Sequence, residues 1–390
     1  MRYALTLLLT AATSAAAQQP YFPGREWERR TPAQVRMDAA RLDQAIAFAR
    51  ANESAAPRDL EHAHRISPFG REPFSEPVGP YRTRGDVAGI VVRHGYLVAE
   101  WGDPHRVDNT FSVTKSFLST VVGLAAGRKL IGSVHDPVAE AVGPVVVAGE
   151  RMAVVDLFES EHARRITWDH LLRQTSDWKG TLWGKPDWAD RPAQDLAAEM
   201  ARERHEPGSV YEYNDTRVNL LALAALQVWR RPLPAVLREL VMEPIDASRT
   251  WQWLGYDNSW VILDGERVQS VSGGAHWGGG MLISARDQAR FGLLTLRNGR
   301  WRDRQILSAE WLRMARTPTP AQPPYGFMNF FLNHDRKLLP SAPADAFAHL
   351  GAGTNAIYVD PVNDLVVVVR WIERKALDGF IERVLAAIER

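Results

Sequence analysis

A serine and a lysine stand three residues apart where an apolar segment of the chain begins. Ser112-Val-Thr-Lys115 leads into the apolar run from Phe117 to Ala126, and residues three apart on a helix project from the same face. A serine hydroxyl is a poor nucleophile until a neighbouring group removes its proton, which a neutral lysine can do. Apolar surroundings favour the neutral amine. The spacing therefore predicts a nucleophilic Ser112 beside a basic Lys115.

The pattern alone is not specific, because serine also caps helices and lysine also lies on surfaces. Ser176-Asp-Trp-Lys179 matches it too, but no apolar helical run follows, and we interpret that segment as a loop. Only six of the 47 basic residues are lysines. A lysine at the start of an apolar helix is therefore unusual for this chain, which favours the catalytic interpretation of Lys115.

The composition is that of an ordinary globular protein. Of the 390 residues, 45% are hydrophobic and 24% are charged, which is enough apolar material for a large core. The formal net charge is +1 and the basic residues are dispersed, so we expect no nucleic-acid partner. The chain has no cysteine, which excludes a thiol nucleophile, thiolate zinc sites and disulfides.

The first residues have the pattern of an export signal. Met1-Arg2 precedes an apolar stretch from Tyr3 to about Ala12, and the small residues Ala15-Ala16-Ala17 follow. We expect residues 1–17 to be a signal peptide that is removed near Ala17, which predicts a periplasmic or secreted protein. A membrane anchor needs about 20 apolar residues. Neither this run nor any later segment is that long, so we expect no stable membrane insertion.

No linker divides the chain, and we expect one domain over residues 18–390. The predicted elements are a helix capped by Thr31 and continuing to Ala49, an irregular arm over residues 53–85, a hairpin from Val87 to Trp101, a helix capped at Ser284, two strands within Asn355–Trp371, and a last helix from about Leu377 to Glu389. The predicted fold class is α/β (α+β), a mainly antiparallel sheet flanked by the terminal helices. This part covers about 30–130 and 272–390, with a helical insertion at about 131–271.

Acylation of Ser112 would also need a group that carries a proton to the leaving group and two donors that hold an oxyanion. In the segment from Pro207 to Leu221, tyrosines precede polar residues just before an apolar helix. His349-Leu-Gly-Ala-Gly353 is a glycine-rich strand edge that would leave backbone N–H groups accessible. Both segments are candidates for the rest of the site.

Together these segments resemble the motifs of the serine β-lactamase and penicillin-binding-protein superfamily, specifically its class C β-lactamase-like esterases and amidases. Ser112-Val-Thr-Lys115 is similar to Ser-x-x-Lys, Tyr213-Asn214-Asp215 to Tyr-x-Asn, and His349-Leu-Gly351 to Lys-Thr-Gly or His-x-Gly. The resemblance extends from about Thr31 to the C-terminus. It implies the β-lactamase/transpeptidase-like fold and a small-molecule ester or amide substrate, with no cofactor and no metal.

The resemblance also implies a role for each site residue. Ser112 would be the acylated nucleophile, Lys115 its activating partner, and Tyr213 the proton shuttle, kept partly ionised by the lysine ammonium. Tyr211 is the competing tyrosine. The backbone N–H groups of Ser112 and Ala352 would form the oxyanion hole.

Two departures from the motifs bear on the substrate, which would contact Asp215, His349 and Gly351. His349 replaces the lysine that grips a carboxylate in β-lactamases, and it is at most weakly charged near pH 7. Asp215 replaces the motif's asparagine and repels anions. Both changes disfavour carboxylate-bearing substrates, so we expect an esterase or small-amide hydrolase. A β-lactamase, a D-amino-acid peptidase and a non-catalytic cell-wall ligand-binding relative remain alternatives.

Other candidate features have simpler interpretations. An α/β-hydrolase would need Gly-x-Ser-x-Gly, which the sequence does not contain. His62-Ala-His64 could offer two metal ligands on a strand, but no third ligand is evident and we expect no metal site. We interpret a cluster of large rings in the middle region mainly as core, with a minority lining an apolar acyl pocket: Trp168, Trp178, Trp183, Trp188 and His276-Trp277.

Overall fold

The computed structural model describes residues 20–389. The expected signal peptide and its cleavage near Ala17 lie outside the described residues. The helices are α1 (Ala39–Ala51), α2 (Leu60–Ile66), α3 (Thr114–Gly127), α4 (Glu161–Arg164), α5 (Trp168–Leu172), α6 (Leu196–Ala201), α7 (Asp215–Trp229), α8 (Leu233–Leu237), α9 (Ala285–Leu296), α10 (Ala309–Ala315) and α11 (Leu377–Ala386).

Most strands are short, and one extends over twelve residues. They are β1 (Ala88–Arg93), β2 (Tyr96–Trp101), β3 (Asp108–Asn109), β4 (Val145–Ala148), β5 (Met152–Val155), β6 (Thr181–Leu182), β7 (Lys185–Pro186), β8 (Gln252–Leu263), β9 (Glu266–Val271), β10 (Gly280–Ile283), β11 (Arg300–Trp301), β12 (Arg304–Gln305), β13 (Phe331–Leu332), β14 (Phe347–Gly351), β15 (Asn355–Asp360) and β16 (Leu365–Arg370).

The main sheet is antiparallel and has the strand order β13-β14-β15-β16-β1-β2. Its central strands are apolar at successive positions because both of their faces are covered. In β16, Val366 and Val368 belong to the larger core, whereas Val367 and Val369 pack in the cluster that includes α1 and α11. This confirms the predicted antiparallel sheet flanked by terminal helices.

A second antiparallel sheet lies in the region for which helices were expected. Its order is β3-β10-β8-β4-β5, and β9 pairs with β8. Four of these strands fall between residues 131 and 271 together with helices α4 to α8, so the insertion is mixed and not only helical. Its long strand β8 alternates incompletely between buried and exposed positions, which weakens the period-two signal that identifies a strand.

The N-terminal segments also differ from the prediction. The helix expected from Thr31 to Ala49 is interrupted at Arg36, which has a left-handed φ of 54°. Thr31 caps only a short 3-10 turn, and α1 begins after a second cap at Asp38. The arm over residues 53–85 was expected to be irregular but contains α2.

Several local predictions are confirmed. The hairpin β1–β2 turns at His94 and Gly95, both with positive φ, as a tight two-residue turn requires. Ser284 caps α9, the segment Ser176–Lys179 is a loop, and strands β15 and β16 pair as expected. The last helix ends slightly earlier than predicted, at Ala386.

Within residues 20–389, no single helix is both long and apolar enough to cross a membrane. One bent pair, Asp215–Trp229 with Leu233–Met242, has the length and composition to do so. Most side chains of α7 are buried inside the protein.

Candidate active site

Ser112 lies where the main sheet meets the buried helix α3. A 3-10 turn over Phe111–Val113 connects strand β3 to α3, and Phe111 takes a left-handed φ of 48° at its start. Residues of α3 are buried continuously from Thr114 to Leu124, so the apolar run fixes the helix in the core. The turn places the Ser112 side chain in the wall of a cavity.

The structure brings together the three side chains that were predicted to act in catalysis. The Tyr213 hydroxyl donates to the Ser112 Oγ atom at 2.8 Å, and the Lys115 Nζ atom donates to the same oxygen at 3.1 Å. Lys115 Nζ also lies 4.6 Å from the centre of the Tyr213 ring. Ser112 and Tyr213 are 101 residues apart in sequence, so only the fold makes them neighbours.

Asp215 is the first residue of α7 and contacts Lys115 directly. Its Oδ1 atom lies 2.5 Å from Lys115 Nζ, and its Oδ2 atom accepts a hydrogen bond from Arg191 at 3.0 Å. Asn214 caps the helix, which holds Asp215 in this position. Both carboxylate oxygens are therefore occupied by cations of the protein, and the side chain is only 1% exposed. Asp215 nevertheless lines the cavity beside Ser112, so its expected contact with the substrate stays a prediction.

The charges around Tyr213 influence its ionisation in opposite directions. Burial raises the pKa of Tyr213, and the Asp215 carboxylate raises it further, while Arg191 acts against them. The net direction is upward, so the phenol is neutral at physiological pH. This direction is opposite to the expectation that the lysine ammonium keeps Tyr213 partly ionised, mainly because the ring is buried and secondly because of the Asp215 charge. Burial also raises the pKa of the Asp215 carboxyl, but Lys115 and Arg191 outweigh it and hold that pKa well below its usual range.

The buried charges continue beyond the predicted residues. Arg191 contacts both Asp190 and Asp215 and lies above the Tyr213 ring, at 4.7 Å from its centre. His276 lies 2.8 Å from Glu72 and 3.3 Å from Arg191. Of these groups, sequence reasoning named only His276, as a member of the middle-region cluster, and His276 does line the cavity. The ion-pair network was not predicted, because none of its members belongs to a local motif.

Part of this cluster has the spacing of a metal site. The ligand atoms of Glu72, Asp190 and His276 lie within 4.8 Å of one another. However, Arg191 pairs with Asp190 and reaches the Nδ1 atom of His276. The guanidinium therefore already supplies the positive charge that these acidic groups require, and the geometry favours an ion-pair network over a metal centre.

The end of strand β14 lies directly against the nucleophile. A Cβ atom at Gly351 would lie 3.3 Å from the Ser112 backbone nitrogen and would collide with the Thr110 carbonyl. Gly351 therefore allows the strand to approach Ser112 closely. Ser112, Gly351 and Ala352 all line the cavity, which is compatible with the expected pairing of the Ser112 and Ala352 N–H groups as oxyanion donors.

His349 has a different position from the one expected. Its side chain is fully buried, its Nδ1 atom lies 2.9 Å from the Ser116 hydroxyl, and three phenylalanine rings surround it: Phe291, Phe330 and Phe347. Burial lowers the pKa of His349 to about 3. Since neighbouring side chains on a strand point to opposite faces, Leu350 faces the cavity and His349 does not. The prediction that His349 contacts the substrate does not fit this position.

The cavity beside Ser112 has a volume of about 440 Å³, within the range of small-molecule sites. Trp371 is among the described residues that line it. The five tryptophans of the middle region and Tyr211 are not among those residues. Tyr211 instead packs against the ring of Tyr325 at 5.2 Å.

His62 and His64 lie on α2 and not on a strand, and the His64 Nε2 atom lies 2.8 Å from the Ser75 carbonyl.

Comparison with known families now identifies the class of protein. A model of the Beta-lactamase family matches residues 72–373, and the chain belongs to this family. The fold is accordingly that of β-lactamase-related hydrolases. No curated protein matches the chain in sequence.

Solved structures with the same fold have diverse activities. One is a putative β-lactamase from Bacteroides dorei, with a TM-score of 0.57, 14% identity, and coverage of 91% of this chain and 100% of that one. EstCE1, described as a hydrolase with promiscuous acyltransferase activity, has a TM-score of 0.56 and 15% identity, with coverage of 92% of this chain and 99% of that one. A D-stereospecific amidohydrolase from Streptomyces sp. has a TM-score of 0.53 and 18% identity, with coverage of 90% of this chain and 98% of that one. At these identities, the similarity establishes the fold alone.

Proposed function

We propose that the protein is a serine hydrolase that cleaves ester or small amide bonds through an acyl-enzyme on Ser112. One observation carries the proposal. The Ser112 Oγ atom lies within hydrogen-bonding distance of both the Tyr213 hydroxyl and the Lys115 Nζ atom, in the wall of a cavity that can admit a substrate. A nucleophile, two groups able to exchange its proton, and a substrate space are the components that acyl transfer needs.

The proposed reaction has two steps. Ser112 Oγ attacks the substrate carbonyl carbon and its proton passes to the Lys115–Tyr213 pair, while the backbone N–H groups of Ser112 and Ala352 hold the oxyanion. The carbon–heteroatom bond then breaks, and the alcohol or amine leaves with the transferred proton. In the second step, water attacks the acyl-enzyme in the same way and regenerates Ser112.

The charge arrangement determines which protonation state is active. Lys115 is paired with the Asp215 carboxylate, and the pKa of Tyr213 is raised. The Tyr213 phenol therefore holds its proton in the resting state and must give it up before it can serve Ser112 as a base. The active form has lost one proton from the Lys115–Tyr213 pair, so we expect activity to rise from acid toward mildly alkaline pH.

Preference for an ester or small amide over a β-lactam rests on the third motif. It contributes no cation to the cavity, because His349 is buried and neutral. One observation favours the second candidate, a β-lactamase or D-amino-acid peptidase: the exposed Arg374 lines the cavity and could contact a substrate carboxylate. Because the third motif supplies no cation, we expect nitrophenyl butyrate to be cleaved faster than a chromogenic cephalosporin. The reverse order would favour the second candidate.

Covalent labelling tests the acyl-enzyme. A fluorophosphonate should label the wild-type protein and should fail to label Ser112→Ala. Ser119→Ala is the matched control, because Ser119 lies on the same helix and its buried hydroxyl has no hydrogen-bond partner within residues 20–389. Labelling that persists in Ser112→Ala would place the nucleophile elsewhere. No labelling of the wild type would favour the non-catalytic alternative.

We also propose that the protein acts outside the cytoplasm, as a periplasmic or secreted enzyme. The proposal rests on the charged start, apolar stretch and small residues of segment 1–17. Expression in a bacterial host followed by N-terminal sequencing of the periplasmic fraction tests it. We expect the mature chain to begin near Gln18, and an intact Met1 in the cytoplasm would contradict export.

A further inference from the structure

One wall of the cavity is formed by the N-terminal arm, defined as residues 53–85. Helix α2 places Leu60, Ala63 and His64 against the cavity, and Ser67 continues the same face one turn later. This spacing of three and four residues is that of a helix with one inward side. Phe69, in the turn that follows, completes the wall.

The arm is fastened to the body of the protein at several points. On the N-terminal side of α2, the Ser54 N–H donates to the Trp371 carbonyl at 2.7 Å. Lys185 donates to the carbonyl groups of Phe74 and Glu76, and Glu72 contacts His276 at 2.8 Å. Because these contacts flank the segment that faces the cavity, the wall has a defined position relative to Ser112.

Much of the lining in this part of the cavity is apolar. The arm contributes Leu60, Ala63 and Phe69, and the segments at the ends of β14 and β16 contribute Leu350 and Trp371. His64 does not add a charge, because burial lowers its pKa. The cations Arg191 and Arg374 line the same cavity, and the Arg191 guanidinium lies 5.2 Å from the centre of the Phe69 ring. The apolar character of this compartment therefore comes from the five side chains named above.

The wall also lies outside the part of the chain that matches the family model. The match begins at residue 72, whereas the arm residues that face the cavity lie between 56 and 69. The catalytic motifs fall inside the matched region. One wall of this compartment is therefore contributed by residues that the family pattern does not specify.

We infer that the part of the cavity lined by α2 and Trp371, the acyl compartment, binds the acyl group of the substrate and selects apolar acyl groups larger than acetyl. Medium-chain and aromatic acyl esters are the substrates of this class. The inference rests on the proposed acyl-enzyme, because Ser112 lines the same cavity. Each additional methylene buried in the acyl compartment should raise kcat/KM by up to about fourfold, until the compartment is filled.

A chain-length series tests the inference. For the wild-type protein, kcat/KM should rise from nitrophenyl acetate through butyrate to octanoate. Ala63→Phe fills the acyl compartment and should lower the octanoate-to-acetate ratio of kcat/KM by about tenfold or more. Leu60→Ala removes apolar contact area and should lower the ratio by a smaller factor, mainly through KM. It provides a second measurement if Ala63→Phe does not fold.

His62→Ala is the matched control, because His62 lies on the exposed side of the same helix. Its octanoate-to-acetate ratio should equal that of the wild type. A wild-type protein that cleaves all three esters at equal kcat/KM, or variants at Leu60 and Ala63 that leave the ratio unchanged, would overturn the acyl inference alone. A protein that cleaves no ester and is not labelled at Ser112 would overturn the proposed function, and this inference with it.

Discussion

The Lys115 Nζ atom lies closer to Asp215 Oδ1, at 2.5 Å, than to Ser112 Oγ, at 3.1 Å. Asp215 stands where the related motif has asparagine, so a neutral amide has been replaced by an anion that pairs with the lysine. This exchange alters the proton balance of the whole site, because the same carboxylate raises the pKa of Tyr213. It also requires a second cation, Arg191, on the other carboxylate oxygen.

Asp215→Asn should move the pH dependence of the reaction to lower pH. Without the carboxylate, the pKa of Tyr213 loses an upward influence, and Lys115 loses its anionic partner, so the active form becomes populated in more acidic solution. We expect the acid limb of kcat/KM for nitrophenyl butyrate to shift down by about one pH unit or more. Asp264→Asn removes an exposed carboxylate paired with Arg230 and should leave the limb in place. An unshifted limb in Asp215→Asn would contradict this account.

Lys115→Arg separates the charge of the lysine from its ability to release a proton. Arginine keeps the ion pair with Asp215 but remains protonated. We expect kcat/KM to fall at least about a hundredfold, with about 1–3 kcal/mol of lost stability from the larger side chain in a fully buried position. Lys129→Arg, at an exposed position two residues after the end of α3, should retain wild-type activity and stability. Near-normal activity in Lys115→Arg would mean that the lysine acts only as a fixed charge.

Paired phenylalanine substitutions test which tyrosine exchanges the proton. Tyr213→Phe removes the donor that contacts Ser112 Oγ and should lower the rate of fluorophosphonate labelling about a hundredfold or more. Tyr211→Phe should change it by less than about threefold, because Tyr211 packs against Tyr325 and lies outside the cavity. Thermal unfolding of both variants provides the check on folding. The opposite order of effects would assign the shuttle to Tyr211.

Local chemistry explains which parts of the fold the sequence could predict. The β1–β2 hairpin, the Ser284 cap and the β15–β16 pair each depend on neighbouring residues and were predicted correctly. Helix α2 was missed because only Leu60 and Ile66 in it are strongly apolar, which leaves little periodicity to detect.

For the candidate site, the sequence could predict the motif residues but not the orientation of every side chain or the ion pairs around them. Ser112, Lys115 and Tyr213 could be nominated because a motif specifies each of them. The direction in which the His349 side chain points could not be predicted, because a motif does not reveal which face of a strand borders the cavity. The contact between Glu72 and His276 joins residues 204 positions apart. Such ion-pair networks depend on tertiary structure and leave no local pattern in the sequence.

The burial of His349 predicts a loss of stability in acid. Burial lowers its folded pKa to about 3, whereas an unfolded histidine titrates near about 6.5. Between these values the unfolded state binds more protons, so the free energy of unfolding falls as the pH falls, by about 1.4 kcal/mol per unit. From pH 7 to pH 5, this one residue should contribute a loss of about 2 kcal/mol.

Urea unfolding at both pH values measures this contribution. His349→Asn does not titrate in this range, and its amide can still contact the Ser116 hydroxyl that His349 meets at 2.9 Å. The variant should be less stable than the wild type at pH 7 but should lose about 2 kcal/mol less on going to pH 5. His62→Gln, at an exposed position, should keep the wild-type dependence. If His349→Asn loses as much stability as the wild type, the imidazole is not held neutral in the folded protein.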